Sequence, residues 1–303
     1  LLLKFPVKAA ETKAFRGKSI REIIKLNETV GKPTLTPRTV NKYLSALGSF
    51  CQWLVREDWL DANPVSGFYL TLDRETPKVL PYTSGQLQAL FSSPLFKGCE
   101  SSEVTHVPGT FRVRDHRYWL PLLALFTGAR LGELAQLEVV DVREDRGHWI
   151  LHITREGGAG KTTKTKGSMR VVPLHPELLK LGFLEYHASA RDRGDVRLFP
   201  AIIPDARGQL SGRVSREYGR YLQRIGIKDG KDLNFHSFRH LMADAFRQAG
   251  FRDEEFGFLL GHTQATTTGR YGILAEGDLT RRVEMINVVS FPGLDLSSLY
   301  PSG

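Results

Sequence analysis

The sequence predicts a mainly α-helical protein with a small antiparallel β-sheet, organised as two domains. Apolar residues recur at three- and four-residue steps in several segments, which is typical of helices with one buried face. Two runs rich in β-branched residues, 148–155 and 169–174, flank a connection rich in glycine, lysine and threonine and predict a hairpin. Prolines and glycines interrupt these patterns between residues 61 and 83, which indicates a domain boundary.

The first domain is predicted to cover residues 1–66 and to contain two helices. Ser19 can cap the first helix, and Glu22 stands three residues later, as in a capping box. Thr36 can cap the second helix, because Pro37 suits the first helical position and apolar residues then recur at helical spacing.

A linker is placed at residues 67–82, and residues 83–303 are predicted to form the second domain. Gly128 is expected to end an apolar helix, and another helix starts at Leu131. The predicted helices of this domain cover residues 84–91, 118–126, 176–191, 211–225, 237–249, 253–260 and 278–287. Together with the hairpin, they predict a helical domain that contains one small sheet.

Composition limits the classes of protein that this chain can belong to. Its 303 residues carry 42 Lys and Arg against 33 Asp and Glu, and the resulting net charge of +9 favours a polyanionic partner. Cys51 and Cys99 are too few for a disulfide framework and are expected to be reduced. No apolar run is long enough for a membrane span, so we expect a cytoplasmic protein. Because the chain does not begin with methionine, we expect its first domain to be truncated.

Arg130 lies at a predicted corner between two helices, where a side chain can be aimed at a ligand. Glu133 follows three residues later on the same face and can support the guanidinium group. An ordinary surface ion pair explains the same spacing equally well.

His236 and Arg239 stand three residues apart at the start of a predicted helix. Both project from one face near the positive end of the helix dipole, which favours an anion. The neighbouring His240 points elsewhere and is interpreted as a packing or supporting histidine.

Tyr271 follows His262 by nine residues, after a threonine-rich stretch. A phenol can attack a phosphodiester when fixed cations neutralise the anionic oxygens and an acid protonates the departing oxygen. A tyrosine needs a base or a cationic field for this chemistry, and His236 is a plausible acceptor of its proton. The alternative is a buried tyrosine that uses its hydroxyl for one hydrogen bond.

The hairpin connection holds Lys161, Lys164 and Lys166. A lysine at the hairpin tip could protonate the leaving oxygen of such a cleavage. The three lysines also fit a solvated turn that touches phosphates.

The predicted helix 211–225 is apolar on one flank and basic on the other. Its basic stripe suits a DNA groove or backbone, although a solvated face has the same pattern. The candidate DNA-contact residues are Arg213, Arg216, Arg220 and Arg224 on this helix, with Arg38 and Lys42 on the second helix of the first domain.

The order of these residues closely resembles that of the tyrosine recombinase, or phage integrase, family. The resemblance covers roughly residues 80–290, and the earlier helices look like the end of the helical core-binding domain of that family. Its matched features are Arg130 with Glu133, the lysine hairpin running into Arg170-Val171-Val172-Pro173-Leu174, His236-x-x-Arg239, His262 and Tyr271.

The resemblance implies DNA cleavage without metal, ATP or any other cofactor. Tyr271 would form a 3′-phosphotyrosyl link and free a 5′-hydroxyl, with His236 assisting the proton transfer. Arg130 and Arg239 would clamp the nonbridging oxygens, and His262 would hydrogen-bond the scissile phosphate. Glu133 would support Arg130, while Lys164 best matches the general acid and Lys166 is the alternative.

The resemblance also implies partners. Members of the family clamp double-stranded DNA between two domains and exchange strands as tetramers through a Holliday junction, in some cases with a DNA-bending or excisionase protein. Residues 278–289 and 291–296 could be the C-terminal segment that passes to a neighbouring subunit, or they could pack on their own sheet. A type IB topoisomerase and a catalytically silent DNA-binding regulator remain alternatives.

Overall fold

The computed structural model describes residues 1–72, 79–158, 161, 169–230, 232–262 and 276–301. The chain divides into two compact units, Leu1–Thr76 and Pro77–Gly303. The described elements are mostly helices, with one three-stranded antiparallel sheet, so the predicted fold class is confirmed. The roles assigned to the two units, and the linker at residues 67–82, stay predictions.

The first unit contains helices α1 (Ile20–Val30) and α2 (Pro37–Arg56). The predicted capping box is present, because the Ser19 amide donates to Glu22 Oε2 at 2.7 Å and the Glu22 amide donates to Ser19 Oγ. The Thr36 side chain caps α2 by accepting from the amide of Thr39 at 3.3 Å.

The second unit begins with helices α3 (Ser84–Phe91), α4 (Pro94–Lys97), α5 (His116–Thr127) and α6 (Leu131–Ala135). The core surrounds α5, which is buried from Tyr118 onwards. Gly128 ends this helix with φ +61°, and a Cβ there would lie 2.4 Å from Leu260. Glycine therefore sets the tight corner after which Arg130 precedes the next helix.

The sheet contains strands β1 (Val142–Asp145), β2 (His148–Ile153) and β3 (Arg170–Pro173), in the order β1-β2-β3. The predicted hairpin is confirmed as β2 and β3, whose register pairs Ile153 with Arg170. The edge strand β1 was not predicted, because only Val142 of its four residues is buried and charged residues fill the rest.

The remaining helices are α7 (Pro176–Lys180), α8 (Phe183–Asp192), α9 (Ser211–Arg224), α10 (Ser237–Gln248), α11 (Asp253–Leu260) and α12 (Glu276–Asn287). The prediction of one helix over 176–191 was wrong. Gly182 adopts φ +84° and separates α7 from α8, which a continuous helix does not allow.

The C-terminal segment of this chain packs on its own unit. Arg282 of α12 donates to the carbonyl oxygen of Val171 on β3 at 3.0 Å, and Leu279 is buried against the sheet. Farther along, the Tyr300 hydroxyl donates to Glu177 at 2.7 Å. The passage of this segment to a neighbouring subunit stays a prediction.

Within the described parts of the chain, no helix combines the length and apolar character that crossing a membrane requires.

Candidate active site

Arg130 stands at the corner between α5 and α6, with its guanidinium held on two sides. Its Nη1 donates to Glu133 Oε1 at 2.8 Å, and its Nη2 donates to the carbonyl oxygen of Gly261 at 3.1 Å. The side chain of Glu133 is only 4% exposed, whereas that of Arg130 is 26% exposed. The pair therefore differs from an ordinary surface ion pair: the carboxylate is buried support and the guanidinium still reaches the surface.

Glu133 also binds a second arginine, which the sequence interpretation did not assign to the site. Arg170 at the start of β3 donates from Nη2 to Glu133 Oε2 at 2.9 Å and from Nε to the carbonyl oxygen of Leu259 at 2.7 Å. Burial opposes ionisation of Glu133, but Arg170 and Arg130 hold its pKa below the ordinary value. The signal in the sequence was an arginine opening an otherwise apolar strand.

Arg239 projects from α10 and is 5% exposed. Its Nη1 donates to the carbonyl oxygen of Gly128 at 3.0 Å, while its Nη2 is buried and has no hydrogen-bond partner within the described residues. Burial, followed by the charges of Arg130 and Arg170, lowers the pKa of Arg239 to about 9, so the group is still charged at neutral pH. A buried cationic donor of this kind suits an anionic oxygen.

His236 precedes α10 and is positioned by its amide, which donates to Asn234 Oδ1 at 2.8 Å. His236 as a whole residue is exposed, but its ring is partly buried by the surrounding protein. This partial burial lowers the pKa of the ring to about 4, and His240 and Arg239 lower it further. The ring is therefore neutral at pH 7 and can accept a proton. His240 packs against it edge-on, with ring centroids 5.0 Å apart.

His262 follows Gly261 at the C-terminal end of α11, and its amide donates to the carbonyl oxygen of Gly257 at 2.8 Å. The side chain is exposed, yet partial burial and the charges of Arg239 and Arg130 lower its pKa. Arg170 also lowers the pKa of this ring, whereas the charge of Asp253 raises it.

The structure brings together Arg130, Glu133, His236, Arg239 and His262, with His240 behind His236. A cavity of about 370 Å³ lies beside Arg130 and His236 and extends to Ser211 and Ser215 of α9. Tyr271, Lys164 and Lys166 lie outside the described residues, so their predicted roles stay predictions.

Lys161 is the one hairpin lysine that belongs to the described residues, and it is buried in an ion-pair cluster. Its Nζ lies 2.7 Å from Asp141 Oδ2 and 3.2 Å from Glu138 Oε2, and its side chain is 4% exposed. Glu138 also accepts the amide of Gly158 at 2.8 Å. Two carboxylates thus occupy this ammonium group, which makes it poorly suited to protonating a leaving oxygen.

The arginines of α9 lie on its exposed flank, opposite the buried Val214, Tyr218, Tyr221 and Leu222. Arg213 pairs with Glu217 at 2.7 Å, and Arg213, Arg220 and Arg224 line a cleft of about 620 Å³. In the first unit, Arg38 and Lys42 are exposed on α2. Their contacts with DNA stay predictions.

Within the described ranges, no three His, Cys, Asp or Glu side chains are grouped so that they could hold a metal ion.

Comparison with known proteins gives an independent view of the chain. Residues 107–276 match a family model described as the phage integrase family. The tyrosine recombinase XerC of Chlamydia trachomatis serovar D is 30% identical over 240 residues, which cover 77% of this chain and 66% of the relative. XerD of Lacticaseibacillus casei is 25% identical over 252 residues, covering 81% and 75%. This chain spans about two thirds of the length of the chlamydial relatives.

Among solved structures, the integrase of the transposon Tn1549 in complex with transposon right end DNA has a similar fold. Its TM-score is 0.52 at 17% identity, and the match covers 90% of this chain and 96% of that one. At this level of identity the likeness concerns the fold alone.

Proposed function

Because this chain belongs to the phage integrase family, we propose that it is a site-specific tyrosine recombinase that cleaves and rejoins double-stranded DNA. The observation that carries the proposal is the buried guanidinium of Arg239, whose Nη2 is without a partner among the described residues and which lies in the field of Arg130. Such a donor matches a nonbridging oxygen of a phosphodiester. Arg130 is held at the same site by Glu133 and Gly261.

The cationic residues stabilise the transition state of the proposed cleavage. Arg130 and Arg239 donate to the nonbridging oxygens, and His262 adds a third hydrogen bond to the phosphate. The guanidinium groups of Arg130 and Arg239 are fixed before DNA binds, because carboxylate and carbonyl oxygens accept hydrogen bonds from them. Preorganised donors of this kind contribute roughly 3–4 kcal/mol each to lowering a barrier.

Tyr271 is the proposed nucleophile. Its oxygen forms a bond to phosphorus while the bond from phosphorus to the 5′ oxygen breaks. Neutral His236 receives the phenol proton, and Lys164 delivers a proton to the leaving 5′ oxygen, with Lys166 as the alternative. The product is a 3′-phosphotyrosyl link and a free 5′-hydroxyl.

Strand exchange follows by reversal of the same chemistry. The 5′-hydroxyl of another strand attacks the phosphotyrosine, so no external energy source or cofactor is needed. The proposed assembly is a homo-tetramer on two DNA sites that exchanges strands in pairs through a Holliday junction, with a DNA-bending or excisionase protein as a possible partner.

The sites themselves are proposed to bound a phage or other mobile element. Sequencing the DNA that flanks the gene tests this part of the proposal. Short direct repeats at the ends of an inserted element would support it and supply the cognate site. An unbroken chromosomal neighbourhood would contradict it.

Trapping a covalent adduct tests the cleavage chemistry. A cognate duplex with a nick near the cleavage position loses the short fragment that carries the new 5′-hydroxyl, so the phosphotyrosine cannot be reversed. We expect the wild-type protein and the control Tyr300→Phe to form the adduct and Tyr271→Phe to form none, because Tyr300 bonds Glu177 instead of facing the site. Absence of adduct on the cognate site, or an adduct formed by Tyr271→Phe, would overturn the proposal.

The general acid is identified by changing the leaving group. A sulfur in place of the bridging 5′ oxygen leaves as a thiolate, which needs no proton because the pKa of a thiol is about 8.5. We expect Lys164→Ala to cleave ordinary DNA slowly and the sulfur-containing DNA at the wild-type rate. Equal defects on both substrates would remove Lys164 from this role.

The same assays separate the alternatives. Relaxation of any supercoiled plasmid, without a need for a specific site, would indicate a type IB topoisomerase. Unchanged DNA-dependent activity in Arg130→Ala would indicate a DNA-binding regulator without catalysis.

A further inference from the structure

Arg170 joins the two parts of the site that hold Arg130 and His262. We propose that it is a positioning residue for DNA cleavage, acting through Glu133 on Arg130 and through the end of α11 on His262. This inference rests on the proposed recombinase function, and it assigns a role to a residue that lies behind the phosphate-binding groups.

The first connection runs through Glu133. One oxygen of its carboxylate, Oε1, accepts from Arg130 Nη1 at 2.8 Å. The other, Oε2, accepts from Arg170 Nη2 and from the Arg130 amide, both at 2.9 Å. Because Arg170 fixes Oε2, the plane of the carboxylate is fixed, and with it the direction in which Arg130 points.

The second connection runs through the C-terminal end of α11. Helix ends leave backbone carbonyl groups without partners inside the helix. Here Arg170 Nε donates to the carbonyl oxygen of Leu259 at 2.7 Å, and Arg130 Nη2 donates to that of Gly261 at 3.1 Å. His262 is the next residue in the chain, so the two arginines hold the backbone from which its ring projects.

Close packing around Gly261 leaves the side chains of Arg170 and Arg130 little room to move. A Cβ on Gly261 would lie 2.6 Å from Arg170 Nη1 and 3.4 Å from Arg130 Nη1. Arg170 is 5% exposed, so its contacts are shielded from water and their geometry is well defined. A displacement of Arg170 is therefore transmitted to both neighbours.

Charge adds to the effect of geometry. A single buried carboxylate, that of Glu133, pairs with both Arg130 and Arg170. Arg170 is also one of the charges that act on Arg239 and on His262. The positive electrostatic field of these arginines stabilises a phosphorane-like transition state, which carries more negative charge than the phosphodiester.

Arg170→Met and Arg170→Lys test the proposal, with Arg117→Lys as the matched control. Arg117 also binds a carboxylate, Asp115, and a backbone carbonyl, that of Ser102, but at the opposite end of α5 from Gly128. For each variant, the rate of adduct formation at saturating protein, the Kd for DNA and the melting temperature are measured.

We expect Arg170→Met to lower the saturated rate about 100-fold and to change the Kd less than about threefold, because misaligned donors affect the transition state most. Lysine keeps the charge but cannot reach Glu133 and Leu259 at once, so Arg170→Lys should lose about tenfold. Arg117→Lys should keep the wild-type rate. If Arg170→Met does not fold, the lysine variant decides the outcome.

An unchanged saturated rate in Arg170→Lys, or a loss equal to that of Arg117→Lys, would overturn the proposal. A double-mutant cycle with Glu133→Gln provides a second criterion: the double variant should lose less than the product of the two single losses, because both residues act on the guanidinium of Arg130. Multiplicative losses would also overturn it. Failure of the wild-type protein to form any adduct contradicts the proposed function instead.

Discussion

Glu133 divides its carboxylate between two arginines, with Oε1 2.8 Å from Nη1 of Arg130 and Oε2 2.9 Å from Nη2 of Arg170. Removing this carboxylate leaves two cations close together, one of them buried. We expect Glu133→Ala to lower the free energy of unfolding by about 3–5 kcal/mol, as for a broken buried ion pair. Urea denaturation measures the change.

The control for this variant is Glu284→Ala, which removes an exposed partner of Arg281. An exposed pair contributes roughly 0–1 kcal/mol, so this substitution should change stability little. An equal decrease in the free energy of unfolding in the two variants would contradict a buried ion pair of Glu133 with Arg130 and Arg170.

Gly261 and Gly31 provide a matched pair, because both end a helix with φ near +70°. A Cβ at Gly31 meets nothing within 4 Å, whereas one at Gly261 meets Arg170 at 2.6 Å. Both alanine variants should lose about 1–2 kcal/mol from backbone strain. Gly261→Ala alone should also slow adduct formation, because it displaces the arginines, and equal cleavage rates in the two variants would contradict this.

Acidification should destabilise the protein through its histidines. Partial burial of the ring, followed by neighbouring cationic groups, lowers the pKa of His236 from 6.5 to about 4, and the pKa of His262 is lowered in the same direction. The unfolded chain therefore binds more protons below pH 6.5, and the free energy of unfolding falls as the pH decreases from about 6.5 towards 4.

Two measurements check this pH dependence. NMR titration of the imidazole rings in DNA-free protein should place the midpoint of His236 near 4, and His236→Asn should reduce the slope of stability against pH in the same window. A midpoint of His236 at or above its ordinary value would contradict the described environment.

Lys161 balances the buried carboxylates of Glu138 and Asp141. Lys161→Met should cost about 3–5 kcal/mol of stability, because it leaves two like charges buried together. Lys180→Met is the control, since Lys180 is 58% exposed in its pair with Glu177. Urea denaturation of both variants checks the prediction, and a loss in Lys161→Met no larger than in the control would contradict it.

Local signals in the sequence predicted much of the fold. Ser19 with Glu22, Thr36 with Pro37, and Gly128 all act over a few residues, so their roles follow from spacing alone. The strand β1 and the break at Gly182 were missed, because a short charged edge strand and a single glycine within an apolar stretch give weak local signals.

For the candidate site, too, the sequence predicted some features and missed others. The family was indicated by the order of Arg130 with Glu133, the lysine hairpin running into residues 170–174, His236 with Arg239, His262 and Tyr271. The family match confirms that resemblance. The partnership of Arg170 with Glu133 joins positions 37 residues apart, and the bond to Leu259 spans 89 residues. No periodicity predicts such contacts, since tertiary packing creates them. Likewise, spacing alone did not distinguish buried Lys161 from the other hairpin lysines.

Identification of the residue that becomes linked to DNA tests directly whether Tyr271 is the nucleophile. The adduct trapped on nicked cognate DNA is digested with nuclease and trypsin, and mass spectrometry locates the phosphotyrosine. We expect a nucleotide-modified peptide in which Tyr271 carries the phosphate. Attachment to any other residue, or cleavage that leaves no protein-linked DNA, would contradict it.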